Sequence, residues 1–130
     1  MNIDVVCGII IQSKKVLVAQ RSIFMKLPLK WEFPGGKMRQ GETEEQCLQR
    51  ELFEELNILV KVKEKFFTNI HQYSDFTICL IAYLAEIEMG TVLLYEHRRV
   101  EWFGKFELQN LDWAPADIPI VDKLIQSLYS

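Results

Sequence analysis

A crowd of carboxylates set beside an apolar stripe constrains this chain more than any other feature. Glu42, Glu51, Glu54 and Glu55 stand at fixed spacing around Arg50, behind a Gly35-Gly36 pair. Good helix formers run from Thr43 to Leu56, and Thr43-x-x-Gln46 has the form of a capping box. At ~100° per residue, Glu51, Glu54 and Glu55 fall within a sector of about 100° next to the stripe Leu48, Leu52 and Leu56. That stripe has to pack on a sheet, so the acidic sector borders the core and cannot simply face water. Carboxylates gathered this way repel one another unless a cation neutralises them. A hard divalent ion, Mg²⁺ or Mn²⁺, suits oxygen ligands and keeps waters that a substrate phosphate can replace. A solvated, salt-bridged helix would need neither the glycines in front nor the inward leucines. Arg50 is spaced to pair with Glu54 at i,i+4 and so to orient it. Asn57 follows the helix at a position where the left-handed conformation is expected.

The remainder predicts a layered α+β domain. Val5 to Ile11 and Val16 to Gln20 read as a hairpin, Trp31-Glu32-Phe33 as a short extended piece, and Gly35-Gly36 as a backbone turn. Ile58 to Thr68 and Phe76 to Glu88 read as long strands joined near Ser74-Asp75, and Val100 to Phe103 as another. A last helix is expected from Asp117, which would cap it, with an inward stripe of Ile120, Val121, Leu124, Ile125 and Leu128. At 130 residues the expectation is one domain, 1–130, able to bury a core without disulfides. Cys7, Cys47 and Cys79 show no CxxC spacing and are read as free thiols of a reducing cytoplasm. A net charge of −3 argues against nucleic acid or an anionic membrane as partner. No leader pattern and no apolar run near the ~20 residues of a membrane span appear.

The spacing Gly36, Glu42, Arg50-Glu51-Leu52, Glu54-Glu55, Asn57-Ile58 resembles the Nudix box, with Asn57 in place of its final glycine. The run Trp31 to Lys37 looks like the MutT-type branch. Ala114 to Pro119 and Glu96-His97 are similar to bacterial members of that branch that act on CTP. The resemblance implies an α/β/α sandwich around a central mixed β-sheet, with Mg²⁺ as cofactor and Mn²⁺ as a substitute. It implies hydrolysis of a nucleoside triphosphate to the monophosphate and pyrophosphate. CTP, dCTP or a modified pyrimidine nucleotide is the first expectation and 8-oxo-dGTP the alternative.

By the same resemblance Glu54 and Glu55 lead as metal ligands, joined by a backbone carbonyl at Gly35 or Gly36. Glu51 is ligand or base, Glu96 is a further acid for metal or proton, and Glu42 stabilises the loop. Arg21 and Lys37 are expected near the phosphates, and Asp117 at the base-reading position. Phe33, His71, Gln72, Tyr73 and Phe24 are candidates for the same cleft, whereas Phe66, Phe76, Tyr83 and Trp113 are read as packing. Dinucleoside polyphosphates and ADP-ribose are competing substrates; Tyr73 stands where ADP-ribose enzymes usually carry proline. A silent nucleotide-binding domain is disfavoured, because every box glutamate is kept. The expected partner is a small nucleotide, with monomer and homodimer both open.

Overall fold

The computed structural model describes residues 2–128. Strand β1 (Asn2–Gln12) meets β2 (Lys15–Gln20) through Ser13 and Lys14, both at positive φ (50° and 64°). A two-residue turn of that kind matches the right-handed twist of its strands. β3 (Trp31–Glu32) pairs with β2, and β4 (Gly35–Lys37) with β1. Helix α1 (Glu44–Leu56) leads to β5 (Leu59–Gln72) and β6 (Thr77–Met89), an antiparallel pair. β6 lies parallel to β1 from Asn2↔Thr77 to Ile10↔Ala85, and β7 (Arg99–Phe103) returns to β2. The order β3-β2-β1-β6-β5, with β4 on β1 and β7 on β2, makes the sheet mixed.

Strand alternation builds two cores from one sheet. Val6 and Ile10 of β1 join Cys47, Leu48, Leu52 and Leu56 of α1 on one face. Cys7 and Ile9 join Ile120, Val121 and Leu124 of α3 (Ile118–Leu128) on the other. Helices therefore cover both faces, the α/β/α arrangement that the resemblance implied. Thr43 caps α1 reciprocally with Gln46, and Asn57 closes it at φ 60°, ψ 32°. All three cysteines are free, Cys79 only half-buried.

Several local expectations change. Gly35 and Gly36 do not turn; they run extended beside β1. A Cβ on Gly35 would run into the Val6 backbone, and one on Gly36 into the Glu51 carboxylate. These glycines serve close approach, not unusual φ. Asp117 ends a 3₁₀ turn (Pro115–Asp117) ahead of α3, and its Oδ2 accepts from the Phe33 N–H at 3.0 Å instead of serving as the expected helix cap. β5 runs on through His71 and Gln72, and a short helix α2 (Lys105–Leu108) follows β7. The Leu128 side chain lies outside the described residues.

Candidate active site

A cleft of about 690 Å³ opens where β3, β4, α1 and the segments around Arg21, Tyr73, Glu96 and Asp117 meet. Its acidic end is organised by Arg50, which stands behind the cleft wall. Arg50 Nη2 and Nε reach both oxygens of Glu42 (2.9 and 2.5 Å). Its Nη1 reaches Glu51 Oε1 at 2.8 Å and Glu54 Oε2 at 3.4 Å, and Nη2 also donates to the Lys37 carbonyl at 3.1 Å. The i,i+4 contact is thus the longest of the set, and Glu42 is the principal partner. Hydrogen bonds from Arg50 and from the Arg39 N–H hold the Glu42 carboxyl down to about 2. Its hydrogen bonds to Glu42 and then to Glu51 raise the Arg50 guanidinium in turn.

Glu51, Glu54, Glu55 and Glu96 line the cleft together with Gly36. Glu55 is the stressed member. Burial, then the charges of Glu51, Glu96 and Glu32, push its carboxyl up to about 8. Its Oε2 is buried with no hydrogen-bond partner among the described residues. A desolvated carboxylate oxygen among like charges, in the cleft that Gly36 also lines, fits a hard divalent cation. Among the described residues no three acidic, His or Cys side chains are already gathered as a metal cage. Glu51 and Glu54 are turned toward Arg50, and Glu54 also toward Arg39 at 3.5 Å, so they must leave part of that grip to converge on an ion.

The opposite end is aromatic and drier. Asp117 is 5% exposed, and burial followed by the charge of Glu32 raises its carboxyl well above the usual range. Phe33 lines this end and packs on Trp113 with ring centres 4.9 Å apart. Tyr73 stacks on Phe76 at 4.9 Å, and its hydroxyl accepts from the Ala116 N–H at 3.1 Å. Between the two ends Arg21 Nη1 pairs with Glu32 Oε1 at 2.8 Å. Glu32 Oε2 lies 2.8 Å from Nε2 of buried His97.

Most residues picked from the sequence therefore share one cleft: Arg21, Phe33, Gly36, Lys37, Glu51, Glu54, Glu55, Tyr73, Glu96 and Asp117. His71 does not line it; it meets the lining residue Tyr73 edge to face at 4.5 Å and pairs with Ile78 across the β5–β6 ladder. Phe24 is 91% exposed and, like Gln72, off the lining. Trp113 is buried and donates from its indole to the Leu108 carbonyl at 2.8 Å, which makes it packing. Sequence reasoning missed Glu32 and the cleft role of Phe76. For Glu32 the available signal was one acid placed between two buried aromatics, Trp31 and Phe33.

Acids at one end, Arg21 paired with Glu32 between, and an aromatic pocket at the other suit a hydrolase of nucleotide anhydrides. Residues 1–124 match the NUDIX domain. The chain belongs to the Nudix family, whose members use a divalent metal, and it is a Nudix pyrophosphohydrolase. It is 37% identical over 120 residues to the CTP pyrophosphohydrolase of Escherichia coli K12, covering 92% of this chain and 89% of that protein. It is 32% identical over 113 residues to the 8-oxo-dGTP diphosphatase of the same organism, covering 87% and 88%. Among solved structures, the E. coli ORF135 protein superposes with a TM-score of 0.82 at 36% identity, covering 96% of this chain and 89% of that one. The MutT protein of methicillin-resistant Staphylococcus aureus 252 does so with 0.78 at 43% identity, covering 97% of both. Among the described residues no helix is long and apolar enough to cross a membrane.

Proposed function

We propose that the chain, acting as one domain, hydrolyses a cytosine nucleoside triphosphate, CTP, dCTP or a modified form, to the monophosphate and pyrophosphate. The observation that carries this reading is the polarity of the cleft. A triphosphate laid along it meets Arg21 and Lys37, with the box acids beyond and buried Asp117 at the base. Asp117 lines the cleft while its Oδ2 accepts from the Phe33 amide. A carboxyl there can accept from the exocyclic amino group of cytosine. The name of one 37% identical relative supports the same choice. The second reading, 8-oxo-dGTP, has the support of the names of other relatives, one of them also 37% identical, and of an Asp able to accept from amino and ring N–H donors.

Glu51, Glu54, Glu55 and Glu96, with the Gly36 carbonyl, would hold Mg²⁺ or, in its place, Mn²⁺. That ion supplies positive charge against the phosphoryl oxygens. Arg50 orients Glu51 and Glu54 from behind. Arg21 and Lys37 bind phosphate charge, and Phe33 and Tyr73 give the base an apolar wall, with His71 supporting Tyr73. Glu51 or Glu96 takes the proton of the attacking water, and the two Gln variants separate them by their pH–rate profiles. A small nucleotide is the partner in this reading, and the cytoplasm the compartment.

The test is pyrophosphate release with Mg²⁺ from CTP, dCTP, 5-methyl-dCTP and 8-oxo-dGTP, with ADP-ribose and diadenosine tetraphosphate as controls. A higher kcat/KM for the cytosine nucleotides is expected. Preference for 8-oxo-dGTP would select the second reading, and cleavage of the controls alone would overturn both.

A further inference from the structure

The loop from Gly90 to Arg98 carries Glu96 and is fastened at both ends. At its start Asn57 Nδ2 donates to the Thr91 carbonyl at 3.1 Å, and the Leu93 N–H donates to the Leu56 carbonyl at 3.0 Å. Gly90, at φ 105°, lies so close to the Asn57 carbonyl that a Cβ would collide with it. These ties dock the loop on the end of α1, just past Glu54 and Glu55. At its far end the Arg98 N–H donates to the Gln20 carbonyl at 2.9 Å. There the His97 side chain, 1% exposed, sets Nε2 2.8 Å from Glu32 Oε2. Its Nδ1 is buried without a partner among the described residues, so Glu32 is the ring's one polar hold. Glu32 is itself fixed by Arg21 through its other oxygen.

Between the two fastenings Tyr95 and Glu96 stand exposed, with Glu96 on the cleft wall. We propose that His97 is a positioning residue: locked to Glu32, it holds Glu96 against the carboxylates of α1. A carboxylate on a long exposed loop has many rotamers and a movable backbone. A buried, hydrogen-bonded ring one peptide bond away removes the backbone part of that freedom. Misplacement of a reacting group by about 1 Å can cost ~10²-fold in rate, so such a hold has a kinetic consequence. The proposal rests on the reading of Glu96 as part of the metal or proton machinery.

The experiment measures kcat, KM and the half-saturating Mg²⁺ concentration for the wild type, His97→Leu, His97→Gln, Glu96→Gln and the Glu96→Gln/His97→Leu double variant. His97→Leu should lower kcat about tenfold and raise the Mg²⁺ requirement, with KM moved less. His97→Gln, whose amide can still donate to Glu32, should recover most of the loss. Placed on Glu96→Gln, His97→Leu should have no further effect, because two residues acting through one group are not additive. If the two losses multiply, or if only KM rises, His97 works elsewhere and the proposal falls while the role of Glu96 stands. Wild-type rates in Glu96→Gln would instead remove the reading beneath it. Should His97→Leu not fold, His97→Asn, whose amide stops short of the Nε2 position and of Glu32, takes its place. It should give the same kind of loss, again absent on Glu96→Gln, and full additivity there overturns the proposal.

Discussion

Arg50 shows how one cation sets the state of several acids. Its fork holds Glu42 with two nitrogens and shares a third with Glu51 and Glu54. Lysine offers a point charge where the site uses a planar fork, so Arg50→Lys is not conservative here. It should lower kcat/KM by about tenfold to a hundredfold and lower the melting temperature, both read on purified protein. Glu55 gives a prediction in pH. Its folded value of about 8 stands above the ordinary 4.5, so folding favours its protonated form. That contribution is whole below about 4.5 and is lost as pH rises through about 8. Metal-free protein should therefore melt lower as pH rises through that window, and Glu55→Gln should flatten the slope. Mg²⁺ binding near neutral pH should release protons, visible as a binding heat that changes with the buffer's ionisation enthalpy.

At the scale of elements, the contact between β4 and α1 is decisive. The two glycines of β4 do different jobs, and alanine separates them. At Gly35 an added methyl meets the fixed backbone of β1, so Gly35→Ala should cost about 3 kcal/mol in denaturant unfolding. At Gly36 it meets the Glu51 side chain, which can rotate, so Gly36→Ala should fold but lose about a hundredfold in kcat. Equal effects of the two changes on stability and rate would contradict this division. The glycine pair was legible in the sequence, but its role was not. A turn and a close approach both call for glycine, and only the neighbour decides which applies. Asn57 was the easier case, since the left-handed cap is a local demand that the backbone states without help.

Across the whole molecule, the cleft joins segments that the chain separates widely. Phe33 and Asp117 are tied by one hydrogen bond although they lie 84 positions apart. Asp117→Ala should change relative kcat/KM among cytosine and guanine nucleotides by about tenfold while leaving the Mg²⁺ requirement unchanged. A fall in melting temperature alone, with relative rates preserved, would reduce Asp117 to a structural tie between β3 and the 3₁₀ turn.

The sequence by itself determined the acidic helix, its caps, the stripe that seats it and hence the family and its chemistry. Those features are local: helical period, backbone conformation and spacing along one segment set them. Only the tertiary structure decided that Asp117 serves Phe33 and not α3, that Glu32 bridges Arg21 and His97, and that His71 stands behind Tyr73. Each of those depends on which strand lies beside which, and a hydrogen bond between distant segments leaves no period in the chain. The carboxylates bespeak a cation in sequence; the fold adds what the chain alone does not state, a buried and unpartnered oxygen on Glu55 and a Glu51 carboxylate pressed against Gly36.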